Sequence, residues 1–154
     1  VNQVCPEWTL DIIGEGEDKA RLQSLINYEK LNGSVRLMPA TSDIENVYLG
    51  PSVVAMSSHY EGLPMVLLEA QSFGLPIVAF ACQCGPKDVI TDGETGFLVP
   101  EGEVEGLADR LITVMEDDNL RLSMGKKAKE ASHRYEERGM MQLWMETFQT
   151  VMEQ

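Results

Sequence analysis

The stretch Ser57-Ser58-His59-Tyr60-Glu61-Gly62-Leu63-Pro64-Met65-Val66-Leu67-Leu68-Glu69-Ala70 gathers residue types suited to a charged, hydroxyl-bearing ligand. Carboxylates accept hydrogen bonds from vicinal sugar hydroxyls. The opening amides of a helix favour a phosphate. Pro64 fixes the first turn but donates no amide, so the usable donors are those of Leu63, Met65 and Val66. Gly62 lets a ligand approach the backbone closely. Glu61 sits at the mouth, and Glu69, eight residues later, lies at most about 12 Å further along a helix axis. Two carboxylates so spaced can straddle a diphosphate and bind hydroxyls on either side of it. The plainer reading makes Glu61 an acid favoured by the helix dipole and Glu69 a solvated helix residue. Against it, Val66-Leu67-Leu68 before Glu69 and Ala70 after it leave the helix otherwise apolar.

Other candidates are weaker. Gly14-Glu15-Gly16 begins like a dinucleotide fingerprint, but the third glycine position is Lys19. It reads as a tight strand-to-helix turn, which argues against an NAD-dependent oxidoreductase. Cys5, Cys82 and Cys84 are odd in number and no export leader opens the chain, which points to free thiols in a reducing compartment. The chain also opens without a methionine, which leaves room for an upstream segment. Cys82-Gln83-Cys84, with His59 and His133 to assist, falls short of a zinc ligand set, so no metal is expected.

The elements that must position these residues follow from the apolar pattern. Strands are expected at 9–13, 35–38, 53–56, 77–80 and 95–99, and helices at 18–31, 42–49, 63–73, 104–115, 119–135 and 137–154. The strands are apolar runs rather than alternating ones, which predicts cover on both faces. Strands alternating with helices predict an α/β, doubly wound parallel sheet with a helical C-terminus, in one domain over 1–154. Ligands bind such sheets at the C-terminal ends of the strands, where the 57–70 segment begins. Met140, Met141, Trp144, Phe148 and Val151 form a helical packing stripe rather than a cofactor site.

Charge narrows the partners. The 12 Lys and Arg against 25 Asp and Glu give a net charge of −13, which argues against nucleic acid. In residues 1–100 the basic side chains are Lys19, Arg21, Lys30, Arg36 and Lys87, so an anion bound there leans on backbone amides. No run approaches the roughly 20 apolar residues of a transmembrane helix.

The 58–70 segment, followed by Gly74-Leu75-Pro76-Ile77-Val78-Ala79, resembles the E-x7-E signature of retaining glycosyltransferases of family four (group one), which have the GT-B fold. Trp8-Thr9-Leu10-Asp11-Ile12-Ile13-Gly14-Glu15-Gly16, Val35-Arg36-Leu37 and Asp92-Gly93-Glu94-Thr95-Gly96-Phe97-Leu98-Val99 agree with it in order and spacing. The resemblance implies a Rossmann-like, donor-binding half of a GT-B enzyme. Glu61 would be the catalytic position, at the hydroxyls of the donor sugar, either as nucleophile or as an electrostatic and positioning group. Glu69 would hold the ribose. Gly62, Leu63, Pro64, Met65 and Val66 would face sugar and phosphate, and Gly14 joins the substrate-binding set through its matched segment. Met38 and the loop to Thr41 would border the nucleobase. His59 either touches the donor or fills a turn, and Lys87 either nears the diphosphate or is solvated. The donor would be a UDP- or GDP-linked sugar, with no cofactor and no metal.

This chain departs from the family where it begins. Seven residues precede Trp8, whereas family members place there a strand, a glycine-rich loop with Arg and Lys, and a helix. The acceptor-binding domain is absent too. The expectation is therefore a C-terminal, donor-side fragment, inactive alone. Its sheet would close the gap of the missing first strand by repacking, or pair with another molecule by self-association. Part of the last-helix stripe would be exposed. The intact enzyme would transfer a hexose with retention in cell-surface polysaccharide or glycolipid synthesis. It would be cytoplasmic, with room for peripheral contact at the inner face of the membrane. The alternative is a non-catalytic, Rossmann-like nucleotide-binding module.

Overall fold

The computed structural model describes residues 1–152. The chain divides into two compact units, Val1–Val47 and the chain from Tyr48 onward.

In the first unit β1 (Leu10–Ile13) pairs in parallel with β2 (Val35–Met38), connected by α1 (Lys19–Tyr28). Asp18 stands at the start of α1 as expected, but the helix ends three residues before Leu31. Lys30 there takes φ +57°, a left-handed turn that stops the helix ahead of Asn32-Gly33. Asp11 and Arg36 are register partners, and the guanidinium grips the carboxylate through Nε–Oδ1 at 2.5 Å and Nη2–Oδ2 at 2.7 Å. The cover predicted for both faces of every strand fails here. All four residues of β1 are exposed, and on β2 Arg36 and Met38 are exposed. Cys5 and Ile26 are the buried apolar residues of this unit.

α2 (Ile44–Leu49) follows, with Asp43 Oδ1 accepting from the Asn46 backbone amide at its start. In the second unit β3 (Val54–Met56), β4 (Ile77–Phe80) and β5 (Gly96–Val99) form a parallel sheet in that order. β4 lies in the middle and is buried along its whole length. α3 (Met65–Ser72) connects β3 to β4, α4 (Pro86–Val89) connects β4 to β5, and α5 (Val104–Glu116) and α6 (Asp118–Ser132) follow. The core joins Val78 of β4, Val114 of α5 and Met124 of α6, with Phe97, Leu107, Leu111 and Leu120 packed against it. At Gly96 any Cβ would come within 2.1 Å of the Ile77 carbonyl oxygen, so the β4–β5 contact admits only glycine. Asp117 caps α6 by accepting from the Leu120 amide at 2.9 Å.

Parallel strands flanked by helices give the Rossmann-like class read from the sequence, with the strands in two sheets rather than one. The expected 119–135 helix is α6 followed by a 3-10 turn, His133–Tyr135. The last helix, α7, spans Glu137–Met152, and its expected end at Gln154 lies outside the described residues. The Trp144 and Phe148 rings meet at 5.5 Å, tilted by 31°, yet Met140, Met141, Trp144, Phe148 and Val151 are all exposed. The stripe is helical, and the exposure expected of part of it extends to all five residues.

Candidate functional site

Because β3, β4 and β5 are parallel, their C-terminal ends share one edge. Three loops leave from it: 57–64 after β3, 81–85 after β4 and 100–103 after β5. An isolated parallel bridge between Tyr60 and Gln83 ties the first to the second. Gly85, at φ +80°, tightens this tie. A Cβ there would meet the Gly62 carbonyl oxygen at 2.5 Å, Pro64 Cδ at 2.7 Å and Glu61 Cβ at 3.2 Å. Only glycine both adopts that φ and fits that space. The loop is anchored from behind by α4. Its Asp88 side chain accepts from the Gly85 amide at 3.3 Å. The Asp88 carbonyl accepts from Arg134 Nη2 and, at 2.8 Å, from the Tyr135 hydroxyl, while Gln71 Nε2 donates to the Val89 carbonyl at 2.9 Å.

The predicted helix over 63–73 begins two residues late. Pro64 is extended, with ψ 95°, and acts as the N-cap. Leu67 donates to the Pro64 carbonyl at 2.9 Å, so Met65 and Val66 are the first helical residues. The amides at such positions have no acceptor within the helix. Leu63, Met65 and Val66 are exposed and Pro64 is buried. A side chain at Gly62 would meet nothing of this chain within 4 Å, so the backbone is open there.

Glu61 is half-buried at the strand ends. His59 Nδ1 lies 2.9 Å from Glu101 Oε1, and its ring faces Phe80 at 6.3 Å. Cys82, on the loop after β4, is fully buried. Burial, then the charges of Glu61 and Glu101, push its thiol above the ordinary range, so it stays protonated at neutral pH. His59 and Glu101 thus form a pair, and the charges of Glu61 and Glu101 are felt at Cys82.

Glu69 stands two turns into α3, half-buried, and accepts from the Tyr48 hydroxyl at 3.0 Å through Oε2. It lines a groove of about 410 Å³ with Met65, Leu68 and Ser72 of α3, Lys129 of α6 and His133 of the 3-10 turn that follows it. Glu61 does not line this groove. Lys87 is exposed on α4. In the first unit the Gly14 amide donates to the Met38 carbonyl at 3.1 Å, which joins those two predicted positions at the strand ends.

Two contributors escaped the sequence reading. Glu101 and Tyr48 left no local signal, since they reach His59 and Glu69 across 42 and 21 residues. Among the described residues no three of His, Cys, Asp and Glu converge as a metal site, and no helix is long and apolar enough to cross a membrane.

Helix-flanked parallel strands with an acid-bearing helix start at their C-terminal edge define a Rossmann-like domain. Residues 2–131 match the family of glycosyl transferases group 1, and the chain belongs to it. It is 34% identical over 139 residues to an uncharacterized glycosyltransferase of Haemophilus influenzae, covering 90% of this chain and 39% of the relative. Over 137 residues it is also 34% identical to the amylovoran biosynthesis glycosyltransferase AmsD of Erwinia amylovora, covering 89% and 38%. A crystal structure of a TarM variant from S. aureus, in complex with fondaparinux, alpha-GlcNAc-glycerol and UDP, superposes with TM-score 0.87 at 27% identity. That match covers 94% of this chain and 30% of the other. The chain therefore spans well under half the length of each of these three proteins.

Proposed function

We propose that this chain is the donor-side domain of a longer, two-domain glycosyltransferase whose other domain binds the acceptor in cis. The intact enzyme moves a hexose from a UDP- or GDP-linked sugar, with retention and without a bound metal. It acts in cell-surface polysaccharide or glycolipid synthesis, in the cytoplasm or at the inner face of the membrane. The UDP held by the TarM variant and the amylovoran role of the AmsD relative support the ligand class and the pathway class.

The observation that carries the reading is the junction at the end of β3. Glu61 leaves the strand edge, Gly85 presses against Glu61, Gly62 and Pro64, and the first amides of α3 follow at Met65 and Val66. Departure of a nucleoside diphosphate develops negative charge, and fixed amides at a helix start stabilise it without reorganisation. Glu61 then works at the sugar and Glu69 at the ribose.

The test uses Glu61→Ala and Glu69→Ala in the full-length enzyme, with turnover of UDP- and GDP-sugars as the readout. Glu61→Ala is expected to lower kcat at least about a hundredfold. Glu69→Ala is expected to raise the donor KM roughly tenfold. Unchanged turnover in both would favour a non-catalytic nucleotide-binding module. Addition of EDTA is expected to leave the rate unchanged.

A further inference from the structure

Tyr48, near the end of α2, is a buried tyrosine whose polar end meets an acid. It is 8% exposed, and its ring stacks on Phe73 with centroids 5.5 Å apart and planes 24° from parallel. Its hydroxyl lies 3.0 Å from Glu69 Oε2 and 3.3 Å from the Val66 carbonyl oxygen. Val66, Glu69 and Phe73 are spaced three and four residues apart, so they share the face of α3 against which the ring lies. A flexible glutamate is thereby held from the side by a rigid aromatic with two torsions, itself locked by stacking.

We infer that Tyr48 is a positioning residue, which fixes the Glu69 carboxylate in the orientation that receives the vicinal hydroxyls of a nucleotide ribose. The inference rests on the donor-binding reading above. A carboxylate has about four lone-pair sites on its two oxygens, so one bond from Tyr48 leaves room for both hydroxyls of a diol. An unanchored glutamate would have to be ordered by the ligand, at the expense of affinity. Burial and the neighbouring Glu69 push the Tyr48 phenol up to about 12, so it keeps its proton across the neutral range and remains a donor.

The test compares UDP with 2′,3′-dideoxy-UDP, by calorimetry or ligand-observed NMR, on the chain as it stands. Tyr48→Phe keeps the ring and its stack but removes the donor. It is expected to weaken UDP roughly tenfold and to leave dideoxy-UDP unchanged. In the full-length enzyme the donor KM rises with kcat retained. Glu69→Ala serves as the reference and is expected to erase the preference for the diol altogether. Equal weakening of both ligands by Tyr48→Phe, or none, would overturn the positioning role. If Glu69→Ala erases the preference and Tyr48→Phe does not alter it, the inference alone fails. If the unaltered chain binds neither ligand, or does not distinguish them, the donor-binding reading fails and takes the inference with it.

Discussion

The sequences of β1, LDII, and β4, IVAF, look alike as short apolar runs, yet every residue of β1 is exposed and every residue of β4 is buried. The difference lies in what covers them. β4 has a strand on each side, and its Val78 packs with Val114 of α5 and Met124 of α6. β1 has β2 alone as a ladder partner, and α1 contributes one buried residue, Ile26. A continuous apolar run states that a strand can be buried on both faces, and the neighbouring elements decide whether it is. The proposed site loads its acids on the better-supported unit. Glu61, Glu69, His59 and Glu101 all hang from elements around the β3–β4–β5 sheet, where a fixed scaffold holds side chains in register.

Backbone approach gives the largest expected contrast. Gly96→Ala drives a Cβ to 2.1 Å from the Ile77 carbonyl oxygen, and neither strand can yield without breaking the β4–β5 ladder. It should cost more than about 3 kcal/mol in denaturant unfolding. Gly16→Ala in the first unit meets nothing within 4 Å and should cost less than about 1 kcal/mol. Comparable costs at the two positions would break the comparison.

Hydrogen exchange reads the same contrast without mutation. Amides of β4 should exchange only on global opening, and those of β1 by local opening, at least roughly a hundredfold faster. Equal protection would mean that β1 belongs to one cooperative unit with β4.

The elements were legible because length and periodicity are local properties, and the boundaries slipped where geometry overrode pattern. Pro64 reads as a helix residue by position, but its extended ψ delays α3 to Met65. α4 is four residues long, too short for any period to register. The 57–70 segment was legible as a candidate site because its acids, glycine and proline are contiguous. Its supports were not, since the distances that bring Glu101 to His59 and Tyr48 to Glu69 exist only once β3, β4 and β5 have aligned their ends and α2 has met α3. Exposure of β1 was not legible either, because cover is a property of neighbours that the strand's own residues do not encode.

Alkali sharpens the comparison by the smallest amount, because the responding group lies in the second unit. The Tyr48 phenol is pushed up from the ordinary 10 to about 12, first by burial and then by the hydrogen bond and charge of Glu69. The folded state therefore holds this proton more tightly than the unfolded chain does. Its stabilising contribution is complete below pH 10 and is lost as pH rises through 12, because the unfolded state binds fewer protons in that window. One group can tilt stability by at most about 1.4 kcal/mol per pH unit. Urea unfolding at steps from pH 9 to pH 12, followed through the exchange of β4 amides, should show this decline in the unaltered chain. Tyr48→Phe should start lower by the lost hydrogen bond but fall less steeply across the same window. Parallel curves for the two proteins would show that the phenol is not held by Glu69, and would remove the link between α2 and the acid that α3 presents.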